Sequence, residues 1–511
     1  MSEMLAHSGT TRDGFSWTSS NGMKKGNFTS KGVISPSERI RSPGDFVYDT
    51  IVVGAGYAGL SSARDLTNAG RKVLLLEGRD RVGGRTFTIK EDGFNYEMGG
   101  TWVSHCQPHT FRELLRYNMD KDLIKTRESG HANDYYTFAL SDAPARHVSH
   151  EEAAASAAKG WNLFINVDGA YGRKICPLPH QQLENVQVDR KEVEKWDSYS
   201  CWDRFEEMKS QLNKEESDLL LSLLLMISGG NLHNSSLWDM IRSQALVNHE
   251  FNNFEDIWFL YKLREGQSAL ARNIFNDAVS NGLEYAFQTP VSGIKQVSNN
   301  LNHVSTRDGR IYQARKVICA VPLNILKHLN FEPSLSPLRQ EAVEAGHINY
   351  MTKIHAVVKG SGMASWNGVC YPNNILYAYG DGVLPSGDAH LVCFGTDERP
   401  HFVPERDPAK ILSALQNFHP MEVKKLVFHN WNTDPYSQAG PCFWPPGFMT
   451  KYQEELQSRH KNVFFASADW ANGWRAFIDG ALEQGFLNAQ NVLNELRQED
   501  KATLPGARSS L

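Results

Sequence analysis

The chain has 511 residues, of which 41% are hydrophobic and 22% charged, which is the profile of an ordinary globular enzyme. This length fits about three average domains or two large interleaved ones. A net charge of −5 lacks the basic footprint of a nucleic-acid-binding protein, so no nucleic-acid partner is expected.

Neither a metal site nor a membrane span is expected. The seven cysteines show no CxxC and no paired spacing, which is typical of reduced thiols inside a cell and gives zinc no support. The longest apolar stretch, residues 219–227, is too short for the roughly 20 residues of a membrane-spanning helix. Residues 1–45 are rich in Ser, Gly and Thr, and we expect a flexible extension, or one ordered only by docking on the main body.

A glycine-rich turn lies between an apolar strand and an amphipathic helix near residue 56. Gly54 permits a tight turn, Gly56 lets the backbone approach a pyrophosphate, and Gly59 lets the helix pack close to the strand. The first helical N–H groups, at Tyr57 and Ala58, then point at the phosphates. This order predicts a dinucleotide-binding unit.

A second apolar strand ends in Glu77, close to the roughly 20 residues after the glycines at which an acid holds ribose hydroxyls. Arg79, Arg81 and Arg85, with glycines between them, are predicted to place cationic groups beside the same pyrophosphate. A domain that binds only NAD does not need this second clamp, so the run favours FAD. The predicted cofactor contacts in it are Glu77, Gly78, Arg79, Gly84 and Arg85.

The order of patterns predicts an α/β fold, a Rossmann-like (GR2-type) FAD-binding domain with an interleaved α+β substrate domain. We expect a discontinuous FAD-binding domain at residues 46–135, 260–330 and 455–497. The substrate domain is expected at 136–259 and 331–454, followed by a C-terminal tail at 498–511.

Local patterns place several elements within these domains. Helices are expected between residues 151 and 230, the first of them Ala-rich and ending at Gly160. Asp308 and Gly309 form a hairpin turn between strands 301–306 and 311–316. Residues 340–445 are rich in aromatic residues and proline, which favours an antiparallel sheet lining an apolar pocket.

Several segments resemble the flavin-containing amine oxidase family, and in particular its fungal monoamine oxidases of the N type. The resemblance covers almost the whole chain and lies in residues 77–85, 96–102, 266–269, 352–356, 390–397 and 473–481. It implies that an amine is oxidised to an imine, then an aldehyde or ketone, while O2 becomes hydrogen peroxide. The flavin contacts that it implies are Gly99, Gly100, Thr101, Trp102, Val291, Asp469 and Ile478.

Two side chains are predicted to act in the reaction. The flavin supplies the difficult chemistry, and the protein supplies orientation, electrostatics and exclusion of water. A single lysine in a strand is more often solvated than functional, but the resemblance implies that Lys353 holds a water at the flavin and assists the reaction with oxygen. Phe477 matches one wall of the family's aromatic cage.

The second wall of this cage falls within residues 436–447, where the resemblance breaks. Pro441 occupies the place of the second ring, and a shift of register could instead bring Phe443 or Trp444 there. We favour a half-open cage, with Pro441 and Phe443 as candidate substrate contacts. Gly440 stands where animal relatives carry the cysteine that bonds to flavin, so we expect non-covalent FAD.

Other activities and locations remain open. An L-amino-acid oxidase would carry an arginine where Trp102 stands, which favours amines without an α-carboxylate; a polyamine oxidase is another alternative. An FAD-binding protein that has lost amine oxidation, or a desaturase-like flavoprotein, would keep the same fold. The last three residues, Ser509, Ser510 and Leu511, weakly resemble a peroxisomal signal, so the location is peroxisomal or cytoplasmic. The partners expected are a small amine and O2, and a homo-oligomer is left open.

Overall fold

The computed structural model describes residues 8–126, 129–141, 143–180, 188–396 and 402–503. Ser509, Ser510 and Leu511 lie outside this range. Within these residues, none of the helices combines the length and the apolar character that crossing a membrane requires.

The described residues form 25 strands and 13 α-helices. The strands are β1 (Gly9–Thr11), β2 (Phe15–Thr18), β3 (Gly22–Lys25), β4 (Phe28–Ser30), β5 (Glu38–Arg39), β6 (Val47–Val53), β7 (Val73–Leu76), β8 (Thr88–Glu91), β9 (Phe94–Glu97), β10 (Trp102–Val103), β11 (Leu123–Lys125), β12 (Tyr136–Leu140), β13 (Arg146–Val148), β14 (Tyr261–Leu263), β15 (Glu284–Ala286), β16 (Val291–Ser298), β17 (Leu301–Thr306), β18 (Ile311–Cys319), β19 (Asn330–Glu332), β20 (Met351–Val358), β21 (Asn367–Tyr371), β22 (Ile375–Val383), β23 (Ala389–Thr396), β24 (Val423–Phe428) and β25 (Val463–Phe465). The α-helices are α1 (Tyr57–Asn68), α2 (Pro108–Arg116), α3 (His150–Ile165), α4 (Arg190–Ser198), α5 (Cys201–Met208), α6 (Lys214–Ser228), α7 (Leu237–Leu246), α8 (Gln267–Ser280), α9 (Leu323–Leu326), α10 (Pro337–Ala345), α11 (Pro408–Gln416), α12 (Phe448–Gln457) and α13 (Ile478–Thr503). Short 3-10 turns lie at Asp120–Asp122, Lys209–Gln211, Leu232–Asn234 and Ala468–Trp470, and a π turn lies at Glu255–Phe259.

The first nine-stranded sheet carries the predicted dinucleotide-binding unit. Its strands are ordered β19-β16-β17-β18-β6-β7-β15-β5, and β25 also pairs with β18. Strands β18, β6, β7 and β15 run parallel, and α1 connects β6 to β7. The sheet is packed between apolar clusters, which explains why β7 is buried along its whole length. The predicted strand–turn–helix–strand order and the hairpin of β17 and β18 are confirmed.

Most strands of the second nine-stranded sheet belong to the segments predicted for the substrate domain. Its order is β13-β12-β21-β22-β23-β20-β24-β2-β3, with β20 antiparallel to both neighbours, β23 and β24. The antiparallel sheet predicted for residues 340–445 is therefore present. The domain boundaries proposed from the sequence remain predictions.

Residues 8–45 are not the flexible extension that their composition predicted. Strand β2 pairs with β24 at the edge of the second sheet, and β5 pairs with β15 in the first. The backbone hydrogen bonds of both sheets order this segment, so of the two expectations docking on the main body is the one that describes it.

Helix α3 continues through Gly160 to Ile165, so the predicted helix end at Gly160 is wrong. Gly160 is buried where α3 meets α6, and a Cβ added to it would lie 3.3 Å from the Cβ of Leu220. The glycine therefore allows two helices to approach closely instead of ending one of them.

Candidate active site

A cavity of about 980 Å³ brings together most of the predicted site residues. This volume lies at the upper end of the range of roughly 300–1,000 Å³ for ligand pockets. The predicted residues that line it are Gly54, Gly56, Tyr57, Ala58, Glu77, Gly78, Arg79, Gly84, Arg85, Gly99, Gly100, Thr101, Trp102, Val291, Lys353, Pro441, Phe443, Phe477 and Ile478. Gly59 and Asp469 are not part of its lining.

The start of α1 has the properties that a pyrophosphate requires. Gly56 caps the helix without a side-chain hydrogen bond, and the first residues, Tyr57 and Ala58, line the cavity. The N–H groups of the first turn are therefore available to an anion. A Cβ on Gly56 would meet only the Cα of Gly84, at 3.9 Å, so two bare backbone segments face each other here. At Gly59, by contrast, a Cβ would lie 1.9 Å from the carbonyl oxygen of Gly54, which explains why a glycine is needed for packing there.

Glu77 is held rigidly at the end of β7, beside this turn. Its Oε2 accepts the backbone N–H of Ala55 at 2.6 Å, and its Oε1 accepts that of Arg79 at 2.8 Å. Each carboxylate oxygen keeps a further lone pair for a ligand hydroxyl. The anion-binding helix end, the glycine pair and this acid together fit an adenine dinucleotide such as FAD.

The side chains of two of the three predicted arginines are bound by acids, although Arg79 also lines the cavity. The Arg79 guanidinium forms a buried ion pair with Asp434 and lies 3.4 Å from Asp13. Arg81 is fully buried, bonds to Asp13 at 2.9 Å and donates to the carbonyl of Gly84. Their acidic partners come from distant parts of the chain, and these pairs fix the glycine-rich loop from behind.

Arg85 is the predicted arginine whose side chain remains partly exposed, and it borders the cavity. It donates to Asp469 at 2.6 Å and to the carbonyl of Gly440 at 3.1 Å. Asp469 is fully buried and also accepts the backbone N–H of Leu323 at 2.8 Å. The structure thus places Asp469 behind Arg85, where it orients the arginine, and not on the cavity wall.

Lys353, in β20, is buried with 6% of its surface exposed, and it borders the cavity beside the Gly99–Gly100 turn. Its Nζ donates to the carbonyl of Gly99 at 3.1 Å and to Oγ1 of Thr101 at 2.5 Å. Nζ lies 5.2 Å from the centre of the Trp102 ring, a favourable position for a cation. Burial lowers the pKa of Lys353 to about 8, so the amine can change its charge near neutral pH.

Phe477 lines the cavity and directly precedes the first residue of α13. Its ring centre is 5.0 Å from that of Trp258 and 5.0 Å from that of Trp474, in edge-to-face contacts. Trp258 belongs to the π turn Glu255–Phe259, and the neighbouring Phe259 stands edge-on to Trp102 at 5.0 Å. An aromatic wall therefore links Phe477 to Trp102.

Apart from Phe477 and Trp102, the residues of this wall were not predicted from the sequence. The aromatic residues that line the cavity and were not predicted are Tyr136, Phe138, Phe251, Phe254, Trp258, Phe259, Tyr377, Tyr379, Phe394, Trp431 and Tyr436. The alternation of Tyr377 and Tyr379 along β22 was a usable signal, since residues two apart in a strand point to one face. The aromatic run at 251–259 carried no period that marks which ring would face a ligand.

Pro441 and Phe443 both line the cavity, but they differ in burial. Pro441 is exposed, whereas Phe443 has 4% of its surface exposed and belongs to the main apolar cluster. Trp444 is fully buried under the Arg475 guanidinium, 3.5 Å from the ring centre. Cys442, between Pro441 and Phe443 in the sequence, is buried, and burial raises the pKa of its thiol well above the usual value. A thiol in this state is a poor nucleophile.

The fold and this cavity define a flavin-dependent amine-oxidising enzyme. Residues 57–493 match the family model described as flavin containing amine oxidoreductase. The chain belongs to this family, and its cofactor is FAD.

Three comparisons place the chain within this group. It is 31% identical over 449 residues to pseudooxynicotine dehydrogenase from a Pseudomonas species, covering 86% of this chain and 84% of the relative. It is 28% identical to (S)-6-hydroxynicotine oxidase of Paenarthrobacter nicotinovorans, covering 88% of this chain and 100% of the relative. A solved structure of putrescine oxidase bound to putrescine matches with a TM-score of 0.71 at 20% identity, over 88% of this chain and 100% of that one, which shows a shared fold.

Proposed function

We propose that the chain binds FAD without a covalent bond and oxidises an apolar amine that has no α-carboxylate, with O2 reduced to hydrogen peroxide. Lys353 carries this proposal, because it is buried at the cavity wall with its Nζ bonded to Gly99 and Thr101. When bound, FAD supplies the acceptor for the two electrons and the α-hydrogen of the amine. The chain's own residues bind, orient and shield the reactants.

The ammonium of Lys353 has three donors. Two of them are bonded to Gly99 and Thr101 in the described structure, which leaves one for a water or oxygen species in the cavity. A buried cation stabilises negative charge that develops on reduced oxygen. Lys353 is therefore assigned to the half of the reaction that consumes O2.

Phe477 and the aromatic wall from Trp258 to Trp102 are assigned to the amine. The flat rings of this wall orient the carbon that loses hydrogen, and they keep water away from it. Trp102 leaves no arginine for a carboxylate at that position, which disfavours an L-amino acid. The names of two relatives, pseudooxynicotine dehydrogenase and (S)-6-hydroxynicotine oxidase, favour nicotine-related amines as the first compounds to assay.

The non-covalent attachment rests on Gly440 and Cys442. Gly440 has no side chain to bond to a flavin, and its carbonyl is held by Arg85. Cys442 is buried and stays a thiol, as its raised pKa indicates. Acid precipitation should release the yellow chromophore into the supernatant, and a yellow pellet would contradict this part of the proposal.

The activity is tested by a peroxide-coupled screen of primary, secondary and cyclic amines beside L-amino acids and polyamines. Replacing O2 by an artificial acceptor under nitrogen distinguishes an oxidase from a dehydrogenase, the name that one relative carries. Turnover of L-amino acids or polyamines alone would overturn the substrate class, and turnover that requires the artificial acceptor would overturn the role of O2.

Lys353→Met should slow the reaction of the reduced enzyme with oxygen by about 10- to 1,000-fold, since it removes one preorganised charge. Its reduction by the amine without air should change far less. Lys359→Met is the matched control, because Lys359 is exposed just beyond the end of β20. An unchanged oxygen reaction in Lys353→Met would remove the assigned role.

The compartment, peroxisome or cytoplasm, is also a proposal. Ser509, Ser510 and Leu511 support the peroxisome, where hydrogen peroxide is disposed of. A fluorescent protein fused to the N-terminus should move from peroxisomes to the cytosol when these three residues are deleted. A cytosolic signal from the intact chain would decide for the cytoplasm.

A further inference from the structure

A buried carboxylate lies two residues before the turn that holds Lys353. Glu97 ends β9, and the same segment supplies Gly99 and Thr101, which bind the lysine Nζ. Glu97 has 8% of its surface exposed. The segment 97–101 therefore supplies a carbonyl and a hydroxyl to Lys353 and carries an acid at its start.

The seat of the Glu97 carboxylate is specific on one side. Its Oε1 accepts the Thr88 hydroxyl at 2.7 Å and the backbone N–H of Gln267, at the start of α8, at 2.9 Å. Gly266 has a φ of +80°, and a Cβ there would come 2.6 Å from Oε1. A bare backbone is thus required for the carboxylate to reach the end of α8, where a negative charge is favoured.

The other oxygen of Glu97 is different. Oε2 is buried and has no hydrogen-bond partner among the described residues. Burial raises the pKa of Glu97, so its carboxylate stays ionised only where a nearby cation compensates its charge. Among the cations around Glu97, Lys353 lowers the pKa of the carboxyl most, ahead of Lys262.

The other charged groups around Lys353 are already paired. Asp381 in β22 binds Lys262 of β14 at 2.5 Å, so its charge is compensated locally. His355 donates the N–H on its Nε2 to the carbonyl of Glu97, and its Nδ1 accepts from Nε2 of His390 at 2.9 Å. Burial lowers the pKa of both histidines, so they stay neutral at physiological pH. Glu97 is left as the counter-charge of the lysine.

We propose that Glu97 is the positioning residue that keeps Lys353 protonated beside the flavin, so that this carboxylate sets the pH range of the oxygen reaction. The inference rests on the proposed role of Lys353 and extends it to a residue that neither the motif nor the comparisons assign. Its physical basis is that an opposite charge in a buried site favours the charged form of its neighbour. Burial alone would favour a neutral amine.

The test measures the charge of Lys353 directly, without amine or oxygen. The holoenzyme is labelled with ε-13C-lysine, the Lys353 resonance is identified from its loss in Lys353→Met, and its chemical shift is followed with pH. In Glu97→Gln the midpoint should fall from about 8 by the order of one pH unit or more. The pH at which oxygen consumption by the reduced enzyme declines should fall by the same amount.

Glu284→Gln is the matched control. Glu284 is a partly buried carboxylate in β15 that bonds to Tyr48 and Ser42, so its loss also removes a native acid. This variant should leave the Lys353 midpoint unchanged. Glu97→Asp keeps the negative charge, so the Lys353 midpoint in this variant should lie close to the wild-type value.

The proposal is overturned if Glu97→Gln binds FAD and the Lys353 midpoint does not move. If this variant is recovered without FAD, the wild-type holoenzyme decides. A wild-type midpoint below pH 7 would mean a neutral amine at neutral pH and would overturn the proposal, whereas one above pH 7 means the charged amine that the proposal requires. Because the titration needs neither amine nor oxygen, its result is independent of whether the proposed function holds.

Discussion

The two ends of the cavity are built in different ways. At the cofactor end, one contiguous stretch from β6 to Arg85 supplies the glycine turn, the helix N-terminus and the acid. At the substrate end, the walls come from the π turn, β22, β23, the loop at Pro441 and the start of α13, which are far apart in sequence. A site encoded in one segment carries its own signature, whereas a site assembled by the tertiary fold does not.

The largest effect is expected at the cofactor end, with Gly56→Val. The added side chain has only Gly84 beside it, so the protein should fold while the branched group fills the space of the pyrophosphate. The purified variant should lose its flavin absorbance near 450 nm and keep its circular dichroism. Gly44→Val is the control, because Gly44 is exposed with no atom within 4 Å of its Cβ. Full retention of FAD in Gly56→Val would show that the dinucleotide binds elsewhere.

The same difference explains what the sequence predicted well and what it did not. Gly54, Gly56 and Glu77 could be assigned because their spacing has a local physical meaning. The sequence predicts Arg79 and Arg81 beside the pyrophosphate, but it does not reveal that acids from distant segments, Asp13 and Asp434, bind their side chains. The fold brings these partners together, and spacing along the chain does not reveal them.

The sequence also could not predict which individual aromatic rings line the substrate end of the cavity. Trp258 and Phe259 stand in a run of aromatic residues, and only the turn geometry decides which of them reaches the cavity. Gly160 was predicted to end a helix, because glycine often does so. In the structure it instead allows α3 and α6 to pack closely. In each case a tertiary contact overrode a local preference.

Asp434→Asn should produce the next largest effect, on stability at the cofactor end. It leaves the buried Arg79 with Asp13 as its remaining acid and removes the bond of Asp434 to His429, so unfolding should become easier by about 3 kcal/mol. The nearby cations hold the pKa of Asp434 far below its usual value. Its contribution is therefore complete above about pH 4 and is lost as the pH falls further.

Denaturant unfolding at pH 7 and at pH 3 measures this effect. The difference in the free energy of unfolding between wild type and Asp434→Asn should be smaller at pH 3 than at pH 7. Asp45→Asn, at an exposed position before β6, serves as the control. An equal gap at both values would show that the loss comes from packing and not from charge.

Phe477→Ala should weaken the substrate end alone. Losing the ring removes its contacts with Trp258 and Trp474 and one wall that orients the amine, so kcat/KM should fall by about 10- to 100-fold. FAD content should stay the same. Tyr171→Ala, an exposed aromatic outside the cavity lining, is the control. Loss of flavin together with activity would mean that the two ends are not separable in this way.

Pro441→Tyr should have the smallest effect and decides how the substrate end departs from its relatives. If the cage is half open, a ring at this exposed position on the cavity wall adds an aromatic contact of about 0.5–1.5 kcal/mol, a two- to tenfold gain in kcat/KM for simple alkylamines. If Phe443 already forms the second wall, the new ring has no place to pack and activity should fall. The two readings therefore predict opposite signs, which steady-state kinetics on one small amine can distinguish.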